Sequence, residues 1–186
     1  MRIFVAATLF GALFSAIAIA APVAETDRIQ ADVRRTTFIV NDTDAALKLY
    51  RDVIGLRVVY DQMLEHGSEA NGDYRKRRLV LMQANDDFVG ALGLLQYFAP
   101  EKPQHAEKFD QPAIGETINV INVRNLEAIW PEVEKVLGVV VHDAPSIVEY
   151  PSGDGKIIRV MQSMIQDPNG YWIELNKIID EELRPK

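Results

Sequence analysis

Glu174 is the side chain best placed to do chemistry, because of the stretch that carries it, DPNGYWIEL at residues 167–175. Asp-Pro-Asn-Gly is turn chemistry: Asp caps, Pro presets φ, and Asn and Gly accept unusual dihedrals. The YWIEL that follows reads as a strand of period two, with Tyr171, Ile173 and Leu175 on one face and Trp172 and Glu174 on the other. A carboxylate among apolar neighbours is costly to bury unless it meets a cation, a metal or hydrogen-bond donors. Glu174 needs a partner.

The other reactive residue types are few. Cysteine is absent, so no disulfide and no thiol-linked lipid anchor can form. Of the three histidines, His66 falls in a Gly-containing loop, His105 in a connector and His142 near the start of a strand, and all three read as exposed or loop residues. Arg75-Lys76-Arg77-Arg78 is the one basic run and reads as a solvated strand entrance. The net charge of -7 is not concentrated in any tail. That disfavours nucleic acid and anionic membrane surfaces, which both reward clustered positive charge.

The elements that position Glu174 follow from the chain in order. Residues 1–20 carry Arg2, then an apolar run broken only by Thr8 and Ser15, and end in Ala18-Ile19-Ala20. This fits a signal peptide cleaved after Ala20, and hence export, with a periplasmic location expected and no stable membrane insertion after processing. Residues 21–32 form a polar tether. Val33 to Val40 reads as a strand, Asn41-Asp42-Thr43 as an N-cap, and Ala46, Leu47, Tyr50, Val53 and Ile54 as one face of a helix closed by Gly55. Strands are expected at 56–60, 77–83 and 88–98, with a loop over 62–73. A connector with three prolines, 100–112, divides the domain. Beyond it, 117–123 reads as a strand and Leu126 to Leu137 as a helix. That helix either kinks at Pro131 or starts at Trp130. Strands follow at 139–141, 146–150, 157–165 and 171–176, with Gly153-Asp154-Gly155 as a tight turn.

The second half lies on the first at an offset of 83 residues. Val40 meets Val123, Asp42 meets Asn125, Ala45 meets Ala128, Gly55 meets Gly138 and Val58 meets Val141, without a gap. A strand, cap, helix, glycine, strand unit occurs twice, which points to internal duplication.

Two βαβββ modules, with NDTDAALKLYRDVIGL at 41–56 and DPNGYWIEL at 167–175, resemble the vicinal oxygen chelate superfamily, which includes glyoxalase I, bleomycin-resistance proteins and extradiol dioxygenases. The resemblance covers about 33–177. It implies an α+β fold in which module one (33–99) and module two (114–177), joined by a connector (100–113) and followed by a tail (178–186), curl into a cup. Metal-dependent members place one ligand on the first and one on the last strand of each module, holding Zn, Ni, Fe, Mn or Mg as a Lewis acid. Carried onto this chain, those positions hold Arg35, Ile118, Gly93 (or Gln96 if the register slips) and Glu174. Arginine, isoleucine and glycine offer no ligand, so the usual metal set is absent and no metal site is expected.

Arg35 and Glu174 would face one cavity. Two readings stay open: an ion pair that fills the metal position, or Arg35 as the anion-binding fork with Glu174 as catalytic base. Asn119, Arg159 and Trp172 complete the expected substrate-binding set. Asn119 and Asn122 differ in parity, as do Arg159 and Gln162, so at most one of each pair lines the cup. A non-standard metal site with His66 or His105 beside Glu174 has no spacing signature. The expected function is a glyoxalase-like protein, of lyase or isomerase type if active, acting on or binding a small polar or anionic metabolite. The alternatives are a binding module of bleomycin-resistance type and a domain whose site has decayed. The partner expected is a small molecule, with a homodimer left open.

Overall fold

The computed structural model describes residues 24–103, 110–151 and 157–180. The expected signal peptide, His105, the Gly153-Asp154-Gly155 turn and the end of the tail lie outside the described residues. Among the described residues, no helix is long and apolar enough to cross a membrane.

Module one runs β1 (Arg35–Ile39), α1 (Thr43–Leu47) continued as a π-helix (Lys48–Val53), β2 (Arg57–His66), β3 (Arg75–Gln83) and β4 (Ala91–Ala99). Module two repeats it as β5 (Ile118–Asn122), α2 (Leu126–Val133), β6 (Val140–Pro151), β7 (Ile157–Gln166) and β8 (Trp172–Ile178). The sheets have the orders β1-β4-β3-β2 and β5-β8-β7-β6. Only the β1–β4 and β5–β8 pairs are parallel. A parallel neighbour needs a crossover, and the helix in each module supplies it. The result is two mixed four-stranded sheets in an α+β fold, as the resemblance implies, and neither sheet closes on itself.

Alternation within the strands divides each sheet into two faces. In module one Phe38, Val40, Val80, Met82, Leu92 and Leu94 turn to the helix and pack with Ala46, Leu47 and Tyr50. In module two Val123, Ile165, Ile173 and Leu175 do the same with Leu126, Trp130 and Val133, and all belong to one cluster. The helices thus cover one face of each sheet. The opposite faces are left to form the floor of the cup.

The two helix starts differ. Asp42 caps α1 by accepting from the Asp44 and Ala45 amides at 2.8 and 3.1 Å, whereas Asn125 makes no side-chain cap. Gly55 and Gly138 both have a positive φ, 89° and 88°, as expected of residues that end helices.

Several boundaries differ from expectation. The second helix begins at Leu126 and carries Pro131 inside it, so Trp130 is not its start. It stops at Val133, and Leu137 is 93% exposed. The strand β2 extends into the first part of the stretch read as a loop and ends at His66. Strands expected at 139–141 and 146–150 are one element, β6, whose register shifts twice against β7. The first shift falls at His142 and the second spans Ala144 and Pro145, which broke the sequence pattern without breaking the strand.

Candidate functional site

The Asp167-Pro168-Asn169-Gly170 turn joins the modules. Asp167 accepts from the Asn169 and Tyr171 amides at 2.8 and 2.9 Å, and its other oxygen accepts from the Tyr50 hydroxyl of module one at 2.9 Å. Asn169 accepts from the Asn41 amide at 2.9 Å. Tyr171 stacks on Phe38 with ring centroids 4.3 Å apart, and its hydroxyl both accepts from the Ile39 amide and donates to the Ile39 carbonyl. Asp167 and Tyr50 are buried. Burial holds the Asp167 carboxyl above its ordinary value despite the hydrogen bonds that favour its charge. Burial first, and the nearby Asp167 second, push the Tyr50 hydroxyl well up, so it stays a donor.

This joint leads into β8, which lies one strand in from the edge strand β5, and Glu174 follows it. Glu174 pairs in register with Val120 and Met164, on the face away from the helix. Its partners are amides. Gln162 Nε2 donates to one carboxylate oxygen at 2.9 Å and Asn176 Nδ2 to the other at 2.8 Å. Tyr150 donates to the Gln162 carbonyl, and Asn122 Nδ2 donates to Asn176 Oδ1 at 3.0 Å. One row, Tyr150, Gln162, Glu174, Asn176 and Asn122, therefore crosses four strands of module two. Of these, Asn176 and Tyr150 were missed by sequence reasoning. The signal was parity with Glu174 on neighbouring strands, which becomes usable only when the strand register is known.

The corresponding floor of module one is largely apolar, with Thr37 and Arg35 beside Gly93 as polar members. Thr37 pairs with Gly93 as Val120 pairs with Glu174, so Gly93 is the structural counterpart of Glu174 and the slip to Gln96 does not occur. Gln96 lies on the helix face and caps α1, accepting from the Thr43 amide and hydroxyl at 3.0 Å each. A Cβ on Gly93 would meet Thr37 Oγ1 at 2.8 Å and Arg35 Cδ at 3.3 Å. Leu79, Leu81 and Leu95 share this floor.

A divalent metal of the kind the fold implies does not fit these residues. The four positions hold Arg35, Ile118, Gly93 and Glu174, and Glu174 already has both oxygens in amide hydrogen bonds. Among the described residues, no group of three or more His, Asp or Glu could hold a metal ion. His66 cannot help Glu174. It ends β2, the far edge of module one, three strand spacings or about 14 Å from β1. His142 is committed to packing against Trp172, with ring centroids 4.4 Å apart.

The other expected site residues scatter. Arg35 does not pair with Glu174; among the described residues it makes no ion pair, and its stem lies over Gly93. The ion-pair reading is therefore corrected: amides, not a guanidinium, satisfy the carboxylate. Asn119 turns to the helix face with Ile121 and Val123, and Asn122 is the asparagine that reaches the Glu174 row. Arg159 is on the opposite face from Gln162. It holds Asp180 through Nε at 3.0 Å, Nη2 at 2.6 Å and its own backbone amide at 2.7 Å. That backbone bond, followed by the guanidinium, draws the Asp180 carboxyl below its ordinary value. Trp172 does share the face of Glu174, but it is buried and donates from Nε1 to Glu116 at 2.9 Å.

A cavity of about 1020 Å³ opens beside the joint, at the end of the seam where β1 finishes and β5 begins. Tyr97, Phe98 and Trp172 give it aromatic walls, and Glu101, Lys102 and Glu116 give it charge. Glu174 is not among its lining residues. This cavity and the ordered carboxylate are thus two places, not one site.

The comparisons agree with this architecture. A glyoxalase family protein from Bacillus cereus is similar in structure, with a TM-score of 0.61 at 16% identity, covering 83% of this chain and 99% of that one. The trypanothione-dependent glyoxalase I of Leishmania major matches at a TM-score of 0.49 and 18% identity, over 79% of this chain and 86% of that one. A fosfomycin resistance protein from Listeria monocytogenes, solved with Mn(II) and sulfate, matches at 0.45 and 12%, over 83% and 98%. No curated protein matches the sequence significantly. At 16% identity the Bacillus cereus structure speaks for the fold alone. The family model of the Glyoxalase/Bleomycin resistance protein/Dioxygenase superfamily matches residues 33–175, and the chain belongs to that superfamily.

Proposed function

We propose that this chain is an exported protein that takes a small polar organic molecule into the groove over Glu174 and acts on it there without the four-ligand metal centre of its superfamily. The observation that carries the reading is the carboxylate itself. Glu174 is oriented in advance by Gln162 and Asn176, and each of these is held in turn by Tyr150 or Asn122. Two neutral donors fix the carboxylate without neutralising it. Each oxygen keeps a lone pair for a ligand hydroxyl, amine or acidic C–H, which is what a general base requires.

The test uses a panel of hydroxy acids, amino alcohols and α-keto acids, read by thermal shift and then by turnover. Ligands that bind the native state raise Tm, and by about 2.7 kcal/mol in stability at a hundredfold excess over Kd. Glu174→Gln is expected to abolish turnover, with its fold checked by circular dichroism. Turnover that survives Glu174→Gln at the original rate would sink the reading.

A second reading rests on the larger cavity. Its aromatic walls and its size suit a planar organic molecule held and not converted, as a sequestering protein would hold it. Binding that depends on Tyr97 and Phe98, without turnover, would favour it.

A further inference from the structure

The seam between β1 and β5 has a second opening, at the end away from the Asp167 joint. It is a cleft of about 340 Å³, walled by apolar side chains that include Leu56, Leu92 and Ile121 and carrying Arg35, Asn119 and Asn122, the last of which also ends the Glu174 row. We infer that this cleft binds a small carboxylic acid with an apolar body on Arg35, at a site that meets the Glu174 row only at Asn122.

Two donors at the cleft have no protein partner among the described residues. Arg35 is exposed and its side chain makes no ion pair or hydrogen bond among them, although the chain carries a net charge of -7. The Nδ2 of Asn119 is buried and has no acceptor. Buried amino groups in folded proteins are nearly always bonded, so an orphan beside a cleft points to an acceptor that arrives from outside. The soft terminal torsion of asparagine lets that amide turn toward a ligand. No Asp or Glu lines the cleft. The acids of the adjoining turn are already engaged, Asp86 with the Phe88 and Val89 amides and Asp87 with Arg57. Among the described residues, the cleft lining therefore offers Arg35 no acidic competitor.

The chemistry of the ligand follows from the walls. A guanidinium offers two parallel N–H groups that match a planar carboxylate. A single cation balances a single negative charge, which suits a monocarboxylate better than a phosphate dianion. The apolar lining needs an apolar body to exclude water, and the volume suits an aryl acid or a medium-chain aliphatic acid.

The experiment titrates the full chain with benzoate and hexanoate, followed by NMR shifts and calorimetry. Benzyl alcohol supplies the body without charge, and inorganic phosphate supplies charge without the body. Saturable binding of both acids is expected, with benzyl alcohol and phosphate at least tenfold weaker. Arg35→Gln should weaken the acids at least tenfold, and Asn119→Leu should weaken them while raising Tm in their absence. Glu174→Gln should leave their affinity unchanged, which separates this site from the groove. Acid binding that is indifferent to Arg35→Gln, or lost in Glu174→Gln, would overturn the inference. So would phosphate binding as tightly as benzoate, or no saturable binding of either acid.

Discussion

The two modules share one backbone plan and differ in what it carries. Thr37 faces Gly93 in the first and Val120 faces Glu174 in the second, at the same place in the same strand order. Around Gly93 the floor is Leu79, Leu81 and Leu95; around Glu174 it is Gln162, Met164 and Asn176. The turns before the last strands differ as well. In module two Asp167 is buried and grips module one, while in module one Asp86 is exposed and caps only its own turn. Two frames with equivalent strand orders thus carry different loads: one is the polar floor and the clasp, the other a largely apolar wall. A symmetric four-ligand centre needs both floors, so losing one is enough to end it.

The largest effect expected from breaking this asymmetry is at the clasp. Asp167→Ala removes the acceptor for two backbone amides and leaves the Tyr50 hydroxyl buried without a partner. The cost should be about 2–4 kcal/mol. In a domain of this size that lowers Tm by roughly 5–15 °C. Asp86→Ala, the counterpart in the exposed turn, should shift Tm by a small fraction of that. Equal shifts from the two variants in calorimetry would mean that the clasp does not join the modules.

Restoring the missing carboxylate should also fail. Gly93→Glu places a Cβ 2.8 Å from Thr37 Oγ1 and 3.3 Å from Arg35 Cδ. Overpacking of this kind costs about 1–3 kcal/mol. The variant should bind no Zn or Mn after dialysis, because Arg35 and Ile118 still hold two of the four positions. Stoichiometric metal in elemental analysis would show that the floor can reopen.

The smallest effect is in pH dependence, and its sign differs between the modules. Asp167 has a raised folded-state pKa, chiefly from burial. Its ionisation therefore opposes folding, and stability rises as pH falls from neutrality through the raised value, the gain being complete below the ordinary 3.8. Asp61 of module one is lowered, first by its hydrogen bond from Arg78. Its contribution is present above 3.8 and is lost as pH falls through the depressed folded value. Wild type should therefore gain on Asp167→Asn as pH drops from 7 to 4 in urea denaturation. A difference that stays flat or reverses would place the Asp167 carboxyl in a less buried setting.

Much of the frame was legible because it rests on local rules. Gly55 and Gly138 end helices with positive φ, Asp42 caps, and Val40 and Val123 are both buried, as the offset of 83 residues implies. The failures share a cause. The strand β6 continues through Ala144 and Pro145 because pairing with β7 tolerates bulges, and α2 carries Pro131 because its apolar face is held against the sheet. Packing overrode local preference in both cases.

The candidate site divides along the same line. Strand alternation alone put Glu174 on one face with Trp172, which is a local property. The four ligand positions came from the resemblance to the superfamily, and at three of them stand Arg35, Ile118 and Gly93, whose side chains offer no metal ligand. Who satisfies Glu174 was decided only by the tertiary structure. Gln162 and Asn176 reach it because register brings neighbouring strands side by side, Arg159 turns away to Asp180, and Arg35 is left to a cleft of its own. Register is a property of paired strands, and no single strand contains it.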